Sequence, residues 1–289
     1  MPTSPDFSGL WIPLVTPFHH GAVDHPALTR LVSHLAKAGV RGFVACGSTG
    51  EAAALDKAEQ LAVLDTVLQA SAGLPVVMGL SGYHLGQTQA WVRELARQPI
   101  AGLLVPAPHY IRPAPAGLQH WFSTLANSAG QPLILYDIPY RTGSVLPLET
   151  LLALAAHPNI RAIKDCGGDV DKTRALIADG RLQVLAGEDG QILNTLAMGG
   201  VGAIAASAHL CTAQFVQLLA WVRQGNPAQA QALWPGLQAM TQAVFTEPNP
   251  ALIKAALAHQ GLIHNELRLP MTAASTSATR QLLALLDKA

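Results

Sequence analysis

The chain has 289 residues, 50% of them hydrophobic, and its 18 Lys and Arg balance 18 Asp and Glu to a formal net charge of zero. That length is enough to bury a large core, while the neutral, sparsely charged composition offers no electrostatic footprint for nucleic acid or an anionic membrane. A protein acting on small molecules is expected, with no nucleic acid and no membrane among its partners.

Short apolar segments alternate with helical patterns along the chain. Strands are predicted at 10–15, 42–46, 75–79, 102–105, 132–136, 160–164, 182–186 and 201–206. The segments between them predict helices at 26–38, 52–70, 87–97, 117–128, 147–155, 170–178, 191–197 and 212–223. The strands recur about every 22 to 33 residues, the length of one strand, one helix and two loops. They are continuous runs of Val, Ile, Leu and Ala rather than alternating ones, as expected of parallel strands covered on both faces. Eight such units predict an α/β fold, a (β/α)8 TIM barrel over residues 1–224, with a doubly wound open sheet as the lesser alternative. Beyond 224 the pattern is helix only, at 227–244, 250–259 and 276–287, and is expected to form a helical appendage of the same domain over 225–289. Glu247-Pro248-Asn249-Pro250 is the clearest break, because two prolines cannot both lie inside a helix.

Residues 1–7 lack the basic and apolar regions of a secretory signal, and the longer apolar runs are interrupted by Gly, Pro, Gln or His. A cytoplasmic protein is therefore expected. Cys46, Cys166 and Cys211 lack metal-ligand spacing and fit reduced thiols in the core. The eleven histidines contain no HExxH, and no phosphate-binding glycine motif follows a strand, so no metal site is expected.

In such a barrel the chemistry lies at the C-terminal strand ends. The residues there are Gly47-Ser48-Thr49-Gly50-Glu51 after the second strand, Pro108-His109-Tyr110 after the fourth, Tyr136 and then Arg141-Thr142 at the fifth, Lys164 at the sixth, Gly187-Glu188-Asp189 after the seventh, and Ile204 with Ser207 at the eighth. A lysine at a buried strand end must find a partner or lose its proton, and a neutral amine is a nucleophile able to form a Schiff base with a carbonyl. Tyr136 is the nearest candidate proton carrier. Alternatively, the Lys164 ammonium reaches solvent or pairs with Asp165. Gly47 to Glu51 would either cradle a carboxylate at a positive helix end or form an ordinary N-cap with Glu51 in the first turn. Arg141 would either hold a substrate carboxylate or tie down its own loop.

Taken together, Gly47-Ser48-Thr49-Gly50-Glu51, Tyr136-Asp137-Ile138-Pro139-Tyr140-Arg141-Thr142-Gly143 and Ala162-Ile163-Lys164-Asp165 resemble the dihydrodipicolinate synthase and N-acetylneuraminate lyase family of pyruvate-dependent class I lyases. Arg141-Thr142 and the run from Pro108 to Pro113 look like the synthase branch, as do Asn249-Pro250 with Lys254 and the run from Leu267 to Thr272. The resemblance implies a covalent imine between Lys164 and pyruvate, with no cofactor and no metal. It further implies that Tyr136, Ser48 and Tyr110 relay protons and that Thr49 and the Ile204 backbone hold the pyruvate end. Gly187 would line the substrate site, and Arg141 would take the carboxylate of aspartate semialdehyde. A homotetramer built from tight dimers is implied, with the tyrosine matching Tyr110 donated across the dimer interface. Other keto-acid aldolases or dehydratases, acting on a 2-keto-3-deoxy sugar acid, 4-hydroxy-2-oxoglutarate or N-acetylneuraminate, are the alternative, and a non-catalytic pyruvate-binding paralogue is a third. Ser48 stands where the synthase branch usually has threonine. The region matching the family's lysine-inhibitor pocket reads Ala52, Ala53, Lys57, Gln60, Tyr83, Gln87 and His109, without an acidic residue at Gln87, so lysine is not expected to inhibit.

Overall fold

A computed structural model describes residues 5–288. Met1 to Ser4, the start of the segment that lacks the regions of a secretory signal, lie outside the described residues. The elements run β1 (Gly9–Pro13), β2 (Phe18–His19), β3 (Ala22–Val23), α1 (His25–Lys37), β4 (Gly42–Ala45), α2 (Lys57–Ala70), β5 (Val76–Gly79), α3 (Leu85–Leu95), β6 (Gly102–Pro106) and α4 (Pro115–Ser128). They continue with β7 (Leu133–Asp137), α5 (Pro139–Thr142), α6 (Leu148–Ala155), β8 (Ile160–Asp165), α7 (Val170–Asp179), β9 (Gln183–Ala186), α8 (Ile192–Ala197), β10 (Gly202–Ile204) and α9 (Thr212–Arg223). Three helices, α10 (Pro227–Val244), α11 (Ala251–His259) and α12 (Thr276–Leu286), complete the order.

Eight strands close into a barrel in the order β1-β10-β9-β8-β7-β6-β5-β4, all eight predicted segments being among them. The fold is a TIM barrel followed by C-terminal helices, so the open doubly wound sheet is set aside. β4, β5 and β7 are buried along their whole length, as the unbroken apolar runs require. No helix among the described residues is long and apolar enough to cross a membrane.

Several boundaries differ from expectation, each for a local reason. The helix predicted at 52–70 is two pieces: a 3-10 turn at Ala52–Ala54, then α2 beginning at Lys57. Asp56 stops any through-helix because it forms a capping box with Glu59, each side chain bonding the other's backbone N–H. Glu51 therefore does not sit in an α-helical first turn, and Gly47 to Glu51 meets no α-helix N-terminus. Gln191, predicted as the start of a helix, ends a 3-10 turn ahead of α8. The β2–β3 hairpin and the one-turn α5 were not anticipated. In the hairpin His20 and Gly21 both take positive φ, of 50° and 78°, the tight-turn geometry that glycine makes accessible.

The described chain divides into two compact units. One comprises residues 77–203 with the N-terminal segment up to Ser8, and carries β6, β7, β8 and β9. The other comprises 9–76 with 204 onward, and carries β1, β4 and the three C-terminal helices.

Candidate active site

In the unit of residues 77–203 the register of β7 against β8 sets Tyr136 opposite Lys164 and Asp137 opposite Asp165. Side chains alternate along a strand, so each pair leaves the sheet on its own face. Lys164 is only 5% exposed, and its Nζ lies 3.3 Å from the Tyr136 hydroxyl and 4.4 Å from the ring centroid. The alternative of a solvated or Asp165-paired lysine is not found. Asp165 instead accepts from Thr173 Oγ1 at 2.5 Å and from the Gly167 backbone N–H at 2.9 Å.

The second pair belongs to the layer beneath α7. Asp137 Oδ2 meets Lys172 Nζ at 2.6 Å in a buried ion pair, while its Oδ1 has no hydrogen-bond partner among the described residues. Burial raises the Asp137 carboxyl above its ordinary range, against the opposing pull of Lys172. Thr173 and Lys172 thus fasten the ends of β7 and β8 from behind, next to the residues that carry the amine and the phenol.

Gly187 closes the same unit. Its N–H bonds to Asp165 O at 2.9 Å, and a Cβ there would stand 2.6 Å from Lys164 Cγ and from Cys166 Sγ. The glycine is what gives the Lys164 side chain its room. Glu188 follows, half-buried, with its carboxyl raised by burial and drawn back down by the positive charges of Lys164 and Arg141. Burial holds the Cys166 thiol up at about 12, so it is an apolar wall rather than a nucleophile. Cys46 is likewise buried, its thiol pushed to about 12, whereas Cys211 is only partly buried.

Arg141 occupies the last turn of α5, is exposed, and makes no side-chain hydrogen bond to a described residue; it does not tie down its loop. Tyr110 is 87% exposed with φ of 76°, its N–H bonded to Thr142 O at 3.2 Å. Ser144 Oγ reaches Pro108 O at 3.3 Å, so the Tyr110 loop is anchored on the turn that bears Arg141. His109 packs edge-on to Tyr83, with ring centroids 5.2 Å apart.

In the other unit, β4 runs into two successive tight turns, Gly50 N–H to Gly47 O at 3.0 Å and Glu51 N–H to Ser48 O at 3.2 Å. Thr16 Oγ1 donates to Gly50 O at 2.7 Å, and a Cβ on Gly50 would come 2.9 Å from Leu14 O, so only glycine fits. These turns leave Ser48 exposed and Thr49 buried. Asn249 Nδ2 donates to Thr49 Oγ1 at 2.9 Å. Glu51, in the left-handed region at φ 52°, forms an ion pair with the fully buried Lys254 and accepts from the Arg268 N–H at 3.1 Å. Arg268 grips Glu59 through two bonds of 2.6 and 2.8 Å, and Lys254 Nζ also donates to Glu266 O at 2.9 Å. Ile204 lies buried in β10 beside this segment's own strand β1, with the next residue's N–H bonded to Trp11 O at 3.1 Å.

Each unit therefore assembles part of the predicted set: amine, phenol, guanidinium and glycine in one, the hydroxyl pair and Ile204 in the other. Asn249 and the Asp137–Lys172 pair were not singled out for a role at the site. Asn249 and Lys254 stood only in a resemblance.

A model of the dihydrodipicolinate synthetase family matches residues 6–289. The chain belongs to that family. The 4-hydroxy-tetrahydrodipicolinate synthase 2 of Clostridium acetobutylicum is 34% identical over 278 residues, 95% of this chain and 97% of that protein. The Thermodesulfovibrio yellowstonii 4-hydroxy-tetrahydrodipicolinate synthase is 34% identical over 98% of each chain. The crystal structure of dihydrodipicolinate synthase from Thermotoga maritima superposes with a TM-score of 0.95 at 28% identity, covering 98% of both chains. Membership of the dihydrodipicolinate synthetase family makes this protein an enzyme, a lyase of the dihydrodipicolinate synthase type.

Proposed function

We propose that the enzyme condenses pyruvate with aspartate semialdehyde to 4-hydroxy-tetrahydrodipicolinate, in lysine and diaminopimelate biosynthesis, through an imine on Lys164. The observation that carries this is the buried Lys164 Nζ placed 3.3 Å from the Tyr136 hydroxyl. The amine adds to the pyruvate carbonyl and water leaves. The resulting imine is an electron sink, so the methyl group loses a proton and the enamine carbon attacks the aldehyde. The aldehyde oxygen takes up a proton as it becomes the hydroxyl. The second substrate's own amine then attacks the imine carbon, closing the ring and releasing Lys164.

Tyr136, Ser48 and Tyr110 supply the proton path, a chain of hydroxyls that reaches solvent without opening the site. Thr49 and the Ile204 backbone hold the carboxylate end of pyruvate, with Gly187 lining the site beside Lys164. Arg141, exposed and making no side-chain hydrogen bond to a described residue, takes the carboxylate of the aldehyde in bidentate fashion. No metal and no organic cofactor enters this scheme. The assembly proposed is a homotetramer of tight dimers, in which the exposed Tyr110 serves its partner's site, and the compartment proposed is the cytoplasm.

Borohydride reduction in the presence of pyruvate, followed by intact-mass measurement, tests the chemistry. A pyruvyl adduct is expected on the wild type and not on Lys164→Ala; an adduct that persists in Lys164→Ala removes the lysine from the mechanism. Turnover of aspartate semialdehyde beside a panel of keto-acids tests the second substrate. A kcat/KM larger by about two decades on a sugar acid would replace it.

A further inference from the structure

We propose that Asn249 is a positioning residue that sets the direction of the Thr49 hydroxyl, leaving its proton free for the carboxylate of the keto acid; this rests on the function proposed above. A threonine hydroxyl has one proton to donate and two lone pairs with which to accept. Thr49 is 3% exposed, and its Oγ1 receives the Asn249 Nδ2 proton at 2.9 Å. With one lone pair occupied by a donor, the hydroxyl proton points elsewhere, which is what binding a carboxylate needs.

The remaining oxygen of Asn249 is informative. Oδ1 is buried and has no hydrogen-bond partner among the described residues. Buried polar groups are seldom left so, and one that is asks for a reason. Turning the amide over would put Oδ1 against Thr49 and take the hydroxyl's only proton, while burying a two-proton donor with nothing to receive it. The observed orientation keeps the donor where it is used and leaves the acceptor idle.

The contact is held on both sides. Five residues beyond Asn249, Lys254 is locked to Glu51, two residues beyond Thr49. The residue ahead of α11 and the helix itself therefore grip the Gly47-to-Glu51 turns at two points, Asn249 on Thr49 and Lys254 on Glu51, and Asn249 is held in place rather than hanging from a free loop. Glu51 and Lys254 fix the turns, whereas Asn249 acts on a single proton.

Steady-state kinetics on the intact enzyme separate these roles. Asn249→Ala is expected to raise the KM for pyruvate about threefold, with the KM for the aldehyde unchanged. Asn249→Asp is the sharper change, because it keeps a hydrogen bond to Thr49 but reverses it, and is expected to raise the pyruvate KM by about tenfold or more. The same Asp substitution in a Thr49→Val background should then have little further effect, which distinguishes a turned hydroxyl from plain charge repulsion. If both single variants bind pyruvate as the wild type does, or if the Asp effect persists in full without the Thr49 hydroxyl, the assignment is wrong. Should Asn249→Asp fail to fold, the Ala variant measured with and without Thr49→Val gives the same cycle. Borohydride trapping on the wild type keeps the outcomes apart. Absence of an adduct overturns the proposed function, while a normal adduct with unaltered Asn249 variants overturns only the role of Asn249.

Discussion

The two units hold their reactive groups by opposite means. In residues 77–203 every fixing contact is made between neighbours in the strand–helix order. Lys164 and Tyr136 are 28 residues apart, and Asp137 and Lys172 are 35 apart. In the other unit the Thr49 hydroxyl is met by a side chain 200 residues away, and Glu51 by one further still. The amine is set by the barrel's own repeat, whereas the Thr49 hydroxyl and Glu51 are met by Asn249, just ahead of α11, and by Lys254 within it, after the last barrel strand. The C-terminal helices are therefore part of how the Ser48–Thr49 turn is shaped.

The ion pairs make that contrast measurable. Lys254→Met leaves Glu51 buried without its cation and is expected to destabilise by about 3 to 5 kcal/mol, the usual cost of breaking a buried pair. Lys172→Met strips the cation from a second buried pair, and Asp137 can answer by protonating. Its carboxyl is already raised, by burial first, despite Lys172. A raised carboxyl contributes stability that is fully present below its unfolded value and is lost as pH rises through its folded one. Removing Lys172 raises it further, so the penalty of Lys172→Met should grow toward alkaline pH. Urea midpoints measured across pH decide this, and a penalty that stays level with pH would contradict it.

A second test bears on His209 in the 3-10 turn after β10. Its Nδ1 lies 2.8 Å from Ala206 O, and its Nε2 accepts the Val15 N–H at 3.2 Å, so the neutral ring is required. Full burial depresses its pKa from 6.5 to about 4. A proton on Nε2 would face an N–H donor. The unfolded chain therefore binds the proton that the fold refuses, and stability is lost as pH falls from about 6.5 toward 4, by about 3 kcal/mol at the lower end. His209→Gln, which can still accept from Val15, should flatten that slope. A wild-type stability curve that is level over this range would contradict the assignment.

The same division explains what was legible in the sequence. Unbroken apolar runs such as Leu133 to Tyr136 betray buried parallel strands, and a lysine closing one of them is conspicuous because it conflicts with its surroundings. Asn249 and Lys254 carry no such local signal. A polar residue beside Pro250 reads as a turn, and a lysine in a helix reads as a solvated face, until a partner far off in the chain is known. Gly187 was legible only through the family resemblance, because the crowding that demands a glycine comes from Lys164 and Cys166, more than twenty residues earlier. One missed feature was readable: Asp56 and Glu59 stand at capping-box spacing, and they end the helix that was drawn through them.

The smallest expected effect concerns lysine, and it would sharpen the contrast by showing that residues 77–203 serve chemistry and not this form of control. Free lysine should neither bind saturably nor slow the enzyme. An amino acid effector needs a carboxylate for its ammonium, and the position that the family resemblance assigns to that task is Gln87. Gln87 lies exposed in the first turn of α3, its N–H bonded to His84 Nδ1 at 3.2 Å. That turn holds no acidic residue, and a helix N-terminus repels a cation. An exposed ammonium there keeps its water and gains no ion pair, and burying it unpaired under an effector's other contacts would cost several kcal/mol, on the order of a thousandfold in affinity. Calorimetric titration of lysine, run beside an activity assay, should give no saturable heat and an unchanged rate. Gln87→Glu is the complementary variant, expected to bring measurable lysine binding if charge is what the position lacks. Saturable inhibition of the wild type would mean that the ammonium finds a carboxylate elsewhere.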